Sequence, residues 1–198
     1  DFTDVNNDAT RVEVNTISAE MAKVRDYVPP YAVMAHRGST FWAPEETESA
    51  WRWAREMGAD YLESDLQCTK DGVILANHDD NLKRTTNIEN VYSELVPATR
   101  KAFYMRHGMS EAEAEKLVEA DKASFRPYYA MSYMYEELLA LDAGSWFNET
   151  SIEQARESFS EQHQYISALE DQIRYAEGKM LKRDVNGERI YTVTGTWN

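Results

Sequence analysis

Two of the four histidines in this 198-residue chain, His36 and His78, follow short apolar runs. The first run is Tyr31-Ala32-Val33-Met34-Ala35, and the second is Val73-Ile74-Leu75-Ala76, ending at Asn77-His78-Asp79. Such runs are expected to be strands buried on both faces, which puts both imidazoles at strand ends. Sites in α/β sheets and barrels are assembled there, from side chains on several strands. A lone strand-end histidine commonly serves as a structural hydrogen-bonder. Two in equivalent positions fit a general acid and a general base facing one substrate. His107 and His163 lie in polar helical context and are expected to face solvent.

Glu63 and Asp65 stand i, i+2 in a third expected strand, 61–66, so both carboxylates point to one face. Two ionised carboxylates on one face need a counter-charge. A divalent cation supplies it, and oxygen ligands suit Mg²⁺ or Ca²⁺. The competing reading turns one side chain to water and offsets the other with an arginine. Arg37, beside His36, carries a guanidinium suited to gripping a phosphate, and Gly38 leaves room for close backbone approach. An ordinary salt bridge explains Arg37 equally well. Glu45 follows Pro44 at a helix start, where a carboxylate already stabilises the helix dipole; a site role is the second reading. Asp71-Gly72 reads as a turn, and Arg84-Thr85-Thr86 as a polar loop with a cap.

The elements that position these residues follow from periodicity. Ile17, Met21, Val24 and Val28 recur at helical spacing behind a Thr16 or Ser18 cap and stop at Pro29-Pro30. A helix is expected over 46–57, burying Ala50, Trp51, Ala54 and Met57, with Gly58 as a left-handed cap. Strand, helix, strand, strand suggests a mainly parallel α/β sheet. The gap from Leu66 to Val73 is too short for a helix, so an irregular crossover is expected. From 88 to 140 the pattern turns helical and polar, with a Ser110/Glu113 capping box opening a helix through Val118. The cluster Tyr128, Tyr129, Met131, Tyr133, Met134 and Tyr135 packs under its own helices, covers a site, binds apolar substrate, or forms an interface. Helices are expected over 152–159 and 168–175, a turn over 185–187 and a strand over 190–194.

Composition excludes several classes. The 42% hydrophobic and 12% aromatic content supports a core, which rules out intrinsic disorder. No run approaches the ~18–20 consecutive apolar residues of a membrane span. With 21 Lys+Arg against 35 Asp+Glu, the net charge of −14 argues against sequence-independent binding to nucleic acid or anionic membrane. The single cysteine, Cys68, makes neither an intrachain disulfide nor a cysteine-based zinc site.

The segments Ala35-His36-Arg37-Gly38, Pro44-Glu45-Glu46-Thr47, Gly58-Ala59-Asp60, Glu63-Ser64-Asp65, Thr69-Lys70-Asp71-Gly72, His78-Asp79 and Leu82-Lys83-Arg84-Thr85-Thr86 stand in an order and spacing that closely resembles the glycerophosphodiester phosphodiesterase family. A weaker echo runs through 141–147 and 166–170. The resemblance implies an α/β fold of the (β/α)₈ TIM-barrel type, and metal-dependent hydrolysis of glycerophosphodiesters to glycerol 3-phosphate and an alcohol. It makes His36 and His78 the acid–base pair, Glu63 and Asp65 two ligands of one Mg²⁺ or Ca²⁺, and Arg37 a phosphate contact. Asp79 then supports His78, and Glu45 supports the site.

Two departures accompany it. Glu46 replaces the family's usual Asn, adding a negative charge expected at the site's mouth. The third metal-binding carboxylate expected in a later strand is missing from 190–197. A (β/α)₈ barrel usually needs ~250 residues, so the whole chain, 1–198, is expected to be one catalytic domain incomplete at its C-terminus. It would supply about four of the eight strands, with 88–140 a helical insertion after the third. Alternatives are a phospholipase C-like or sphingomyelinase D-like enzyme acting on intact lipid, and a non-catalytic barrel fragment. The expected partner is a small-molecule diester, with neither nucleic acid nor a transmembrane segment involved; oligomeric state stays open. An extracytoplasmic location is favoured over a cytoplasmic one by the acidity, the single cysteine and a sequence that starts at Asp1.

Overall fold

Backbone pairing after Val33 starts with a parallel pair that aligns the first two functional strands. In the computed structural model, which describes residues 31–157, 163–183 and 189–193, β1 (Met34–His36) pairs in parallel with β2 (Tyr61–Glu63). The register sets Met34 opposite Tyr61, Ala35 opposite Leu62 and His36 opposite Glu63. The chain divides into two units, Asp1–Val33 and Met34–Asn198; the described part of the first, 31–33, carries no regular element. The amphipathic helix expected before Pro29 lies outside the described residues.

Between β1 and β2 runs α1 (Glu48–Glu56). Thr47 caps it: its hydroxyl accepts from the Ala50 N–H at 3.5 Å and donates to the Pro44 carbonyl at 2.7 Å. The helix starts two residues later than its periodicity suggests because Glu46 sits at φ +55°, outside helical space. Ala50, Trp51 and Ala54 are its buried stripe, as expected, whereas Met57 is exposed. Gly58 closes the helix end at φ +83°. Gly38 has two reasons to be glycine. Its φ is +87°, and a Cβ there would meet Ala50 Cβ at 2.7 Å, so the loop after β1 lies directly on α1.

Three expectations are corrected here. β1 is not buried on both faces, since Met34 is 69% exposed and only the Ala35 side turns inward. The strand expected over 61–66 breaks after Glu63, because the Asp65 N–H is taken by the Glu46 side chain rather than by a neighbouring strand. No crossover joins Leu66 to Val73. Strands β3 (Leu66–Cys68) and β4 (Ile74–Ala76) form an antiparallel hairpin. Its turn is braced by Thr69, whose hydroxyl bonds Asp71 Oδ1 at 2.6 Å and accepts from the Val73 N–H at 2.9 Å. A connection this short returns antiparallel more readily than it crosses over. Among the described residues, then, one strand pair is parallel and two are antiparallel.

Residues 88–140 are helical as expected. They hold α2 (Ile88–Val91), α3 (Arg100–Arg106), α4 (Glu111–Ser124), a 3₁₀ turn at Ala130–Ser132, and α5 (Tyr135–Leu138). The Ser110/Glu113 capping box is present, and its helix continues six residues past Val118. Tyr128, Tyr133 and Tyr135 pack with Leu75, Leu82, Ile88, Leu138 and Leu141 in the main apolar core. For these three tyrosines that is the plainest of the four readings of the Tyr/Met cluster, whereas Met131 is exposed. Arg100 holds the same region together: fully buried, it meets Glu137 at 2.9 and 2.8 Å, Asp121 at 2.6 Å and the Ser132 carbonyl at 2.8 Å. Two carboxylates and a carbonyl around a guanidinium satisfy the desolvated charge, so the network tolerates burial.

The chain continues through α6 (Trp146–Thr150) and a 3₁₀ turn at Ile152–Gln154; the end of the helix expected over 152–159 lies outside the described residues. Residues 158–162 lie outside the description. Then α7 (Leu169–Ala176) packs beneath the strands, with Tyr175 against Trp51 and Ala76. β5 (Lys179–Arg183) and β6 (Arg189–Val193) form a last antiparallel pair; β6 matches the expected strand, and the turn expected over 185–187 is not described. Among the described residues no helix is long and apolar enough to cross a membrane.

Candidate active site

The β1–β2 register brings the first three chemical groups together. A nitrogen of His36 and carboxylate oxygens of Glu63 and Asp65 lie within 4.8 Å of one another. Arg37, at φ +57°, turns the chain sharply after β1 so that its N–H donates to Glu63 Oε2 at 3.0 Å. Its side chain crosses the same cluster, with Nε 2.9 Å from Asp65 Oδ2 and Nη1 3.4 Å from Glu45 Oε1. Asp65 is fixed through its backbone: its N–H donates to Glu46 Oε1 at 2.7 Å and its carbonyl accepts from the Asn77 N–H at 2.9 Å. The second bond sets the end of β4, and so the start of the His78 loop, beside the acidic pair.

One imidazole and two carboxylates are a donor set that fits a divalent cation. Arg37 pairs with Asp65 and shares Glu45 with Arg84, and it meets Glu63 only through its backbone N–H, so the cluster can take up a cation. The sequence places His36 with proton transfer and leaves the ligands to oxygen; the structure adds its nitrogen to the same cluster. A third carboxylate ligand is not in this group among the described residues.

His78 has its own support. Its Nδ1 lies 2.5 Å from Asp79 Oδ1. Asp79 Oδ2 accepts from Arg84 Nε at 2.6 Å, and Arg84 Nη2 donates to Glu45 Oε1 at 2.6 Å. The Arg84 hydrogen bond, helped by His78 and opposed by partial burial, holds the Asp79 carboxyl below the ordinary aspartate range. The loop is braced internally by Asn77, whose amide donates to the Asp79 carbonyl at 2.6 Å, and by Thr86, whose hydroxyl donates to the Leu82 carbonyl at 2.6 Å. His107 and His163 are exposed, as expected, and take no part.

Glu46 corrects its expected role. It is 3% exposed, so it does not charge the mouth of the site. Burial, with the Asp65 and Glu45 charges adding to it, pushes its carboxyl up to about 8 against the pull of the Asp65 N–H. At neutral pH it is mostly protonated. Its backbone is left-handed, a conformation that Asn tolerates better than Glu.

The sign of its pH effect is fixed. An unfolded Glu46 ionises near 4.5 and the folded one near 8, so the folded state binds the extra proton between them. This contribution to stability is complete below 4.5, falls as pH rises towards 8, and is constant beyond. At about 1.4 kcal/mol per pKa unit the loss is ~3 kcal/mol by pH 7, as an upper bound. Glu46→Gln is therefore expected to gain in Tm over the unsubstituted protein progressively from pH 5 to pH 8. A Tm difference that stays flat across that range contradicts the assignment.

Arg84 and Glu46 are the two residues whose site contacts the sequence does not announce. Arg84 lies five residues beyond the His-Asp pair, and a cation in a loop behind paired acids was the available signal.

The sequence model of the glycerophosphoryl diester phosphodiesterase family matches residues 36–194. A glycerophosphodiester phosphodiesterase of Bacillus subtilis (strain 168) is 32% identical over 126 residues, 64% of this chain and 30% of that protein. One of Arabidopsis thaliana is 44% identical over 77 residues, 39% of this chain and 20% of its own length. A solved phosphodiesterase of Oleispira antarctica, in complex with the product sn-glycerol-3-phosphate, is 24% identical, with a TM-score of 0.48 over 77% of this chain and 42% of that one. The matches span under a third of these two curated relatives.

Proposed function

Because this chain belongs to the glycerophosphoryl diester phosphodiesterase family, we propose that it hydrolyses glycerophosphodiesters to glycerol 3-phosphate and an alcohol. The observation that carries the reading is the convergence of His36, Glu63 and Asp65 within 4.8 Å at the ends of paired parallel strands. The β1–α1–β2 unit, with its chemistry at the carboxyl ends of its strands, supports placing these elements in a (β/α)₈ barrel.

Glu63 and Asp65 would hold one divalent cation, Mg²⁺ or Ca²⁺, which when bound supplies charge neutralisation for the phosphate oxygens. Arg37 grips the phosphate with the N–H groups that face away from Asp65 and Glu45. His36 and His78 transfer the protons. One removes a proton from the attacking water as its oxygen bonds to phosphorus. The other donates a proton to the alcohol oxygen as the P–O bond breaks. Asp79 on Nδ1 fixes the His78 ring so that Nε2 is the nitrogen turned to the reaction. The acidic surface, net −14, is reconciled with an anionic substrate by the cation and two arginines at the site.

Incubation of the intact protein with glycerophosphocholine, glycerophosphoethanolamine and glycerophosphoinositol, with Mg²⁺ or Ca²⁺ present, is expected to release glycerol 3-phosphate from at least one. Phosphatidylcholine and sphingomyelin vesicles run beside them test the intact-lipid alternative. Release from vesicles alone, or from none of the substrates, overturns the proposal.

A further inference from the structure

An unbroken line of alternating acidic and basic side chains joins the two halves of the site: Asp65, Arg37, Glu45, Arg84, Asp79, His78. Its links are 2.9 Å from Arg37 Nε to Asp65, 3.4 Å from Arg37 Nη1 to Glu45, 2.6 Å from Arg84 Nη2 to Glu45, 2.6 Å from Arg84 Nε to Asp79, and 2.5 Å from Asp79 to His78 Nδ1. The first three groups ride on the β1–α1 segment and the β2–β3 junction, and the last three on the loop after β4. Arg84 joins the charged side chains of those two parts, which also meet through backbone groups at Asn77–Asp65 and Gln67–His78.

We propose that Arg84 is a positioning residue for the reaction, holding the Asp79–His78 pair and the Glu45–Arg37 pair at a fixed separation; this rests on the hydrolytic reading above. A guanidinium is planar and rigid, so Nε and Nη2 on two different carboxylates fix the distance between those carboxylates. One end of the clamp orients the imidazole that moves a proton, and the other orients the guanidinium that holds the phosphate. Arg84 itself stands behind both groups and transfers nothing. Its side chain is 43% exposed, so its role is geometric rather than a store of folding energy. Lysine keeps the charge but lacks the fork.

Steady-state kinetics on the intact protein test this, with thermal unfolding confirming that each variant folds. Arg84→Ala is expected to lower kcat for the glycerophosphodiester by roughly 10–100-fold, the range for groups that orient a reacting side chain. Arg84→Lys is expected to stay within a few-fold of Arg84→Ala. In the double variant Arg84→Ala/Asp79→Asn the loss should exceed that of Asp79→Asn alone but fall well short of the product of the two single losses, because only one arm of Arg84 acts through Asp79. Added guanidinium ion should recover part of the kcat of Arg84→Ala, since the vacated place opens to solvent. The ¹⁵N shifts of the His78 ring should change in Arg84→Ala without substrate present. An inactive unsubstituted protein removes the hydrolytic reading and this inference with it. An active one whose Arg84→Ala variant keeps kcat within two-fold, or whose losses with Asp79→Asn multiply in full, overturns this inference alone.

Discussion

His78→Ala and His36→Ala are each expected to reduce kcat for glycerophosphodiester hydrolysis by about 10²–10⁴-fold, the usual worth of a positioned general acid or base. Both side chains are exposed enough to be truncated without opening a cavity, so thermal unfolding should move little. The double variant should lose far less than the product of the two single losses, because an acid and a base serving one displacement act as a unit. The variants should also differ from each other. His36 lies within 4.8 Å of Glu63 and Asp65, so its truncation disturbs the cation site, whereas His78 bonds Asp79 on a separate loop. Cation affinity, measured by titration calorimetry, should therefore fall in His36→Ala and stay level in His78→Ala. A His78→Ala protein keeping more than a tenth of kcat removes His78 from proton transfer, and the same result for His36→Ala leaves that residue as a ligand only.

What the sequence could reveal depended on how local each interaction is. The His36, Glu63 and Asp65 residue types announced their chemistry, but the register that sets His36 opposite Glu63 is a pairing across 27 residues that periodicity does not encode. The strand over 61–66 was over-extended because Glu46 Oε1, far along the chain, takes the Asp65 N–H. The 69–72 turn was legible, yet the expectation of a parallel sheet overrode the plainer hairpin. Glu46 is expected to charge the mouth of the site because nothing in its immediate neighbours shows that it is buried. Arg84 escaped for a similar reason: one partner, Asp79, is five residues away, and the other, Glu45, is 39. Capping signals, which act within a single turn, were read correctly at Ser110 and Gly58.

Removing divalent cations should abolish hydrolysis, and the physical ground lies in the charges around Arg37. Four carboxyl groups crowd it: Glu45 and Asp65 contact its side chain, Glu63 accepts its backbone N–H, and Glu46 remains neutral by burial. Arg84 takes up part of Glu45, but Arg37 cannot neutralise Asp65 and Glu63 and also bind a phosphodiester. A cation held by Glu63 and Asp65 relieves Arg37 of Asp65 and frees donors for the phosphate. At an effective dielectric near 20, two unit charges ~4 Å apart interact by about 4 kcal/mol, and the attraction doubles for a divalent ion. Glu63→Gln and Asp65→Asn should therefore each weaken cation binding by at least about 100-fold, a loss of roughly 3 kcal/mol. Cation at 100 times its Kd should stabilise the unsubstituted protein by about 2.7 kcal/mol, visible as a rise in Tm that both variants lose. Asp65→Asn should respond differently in one respect, because its Arg37 loses a partner and binds inorganic phosphate more tightly without cation. Full activity after exhaustive chelation, with no heat and no Tm change on adding Mg²⁺ or Ca²⁺, would leave Glu63 and Asp65 as ordinary partners of Arg37.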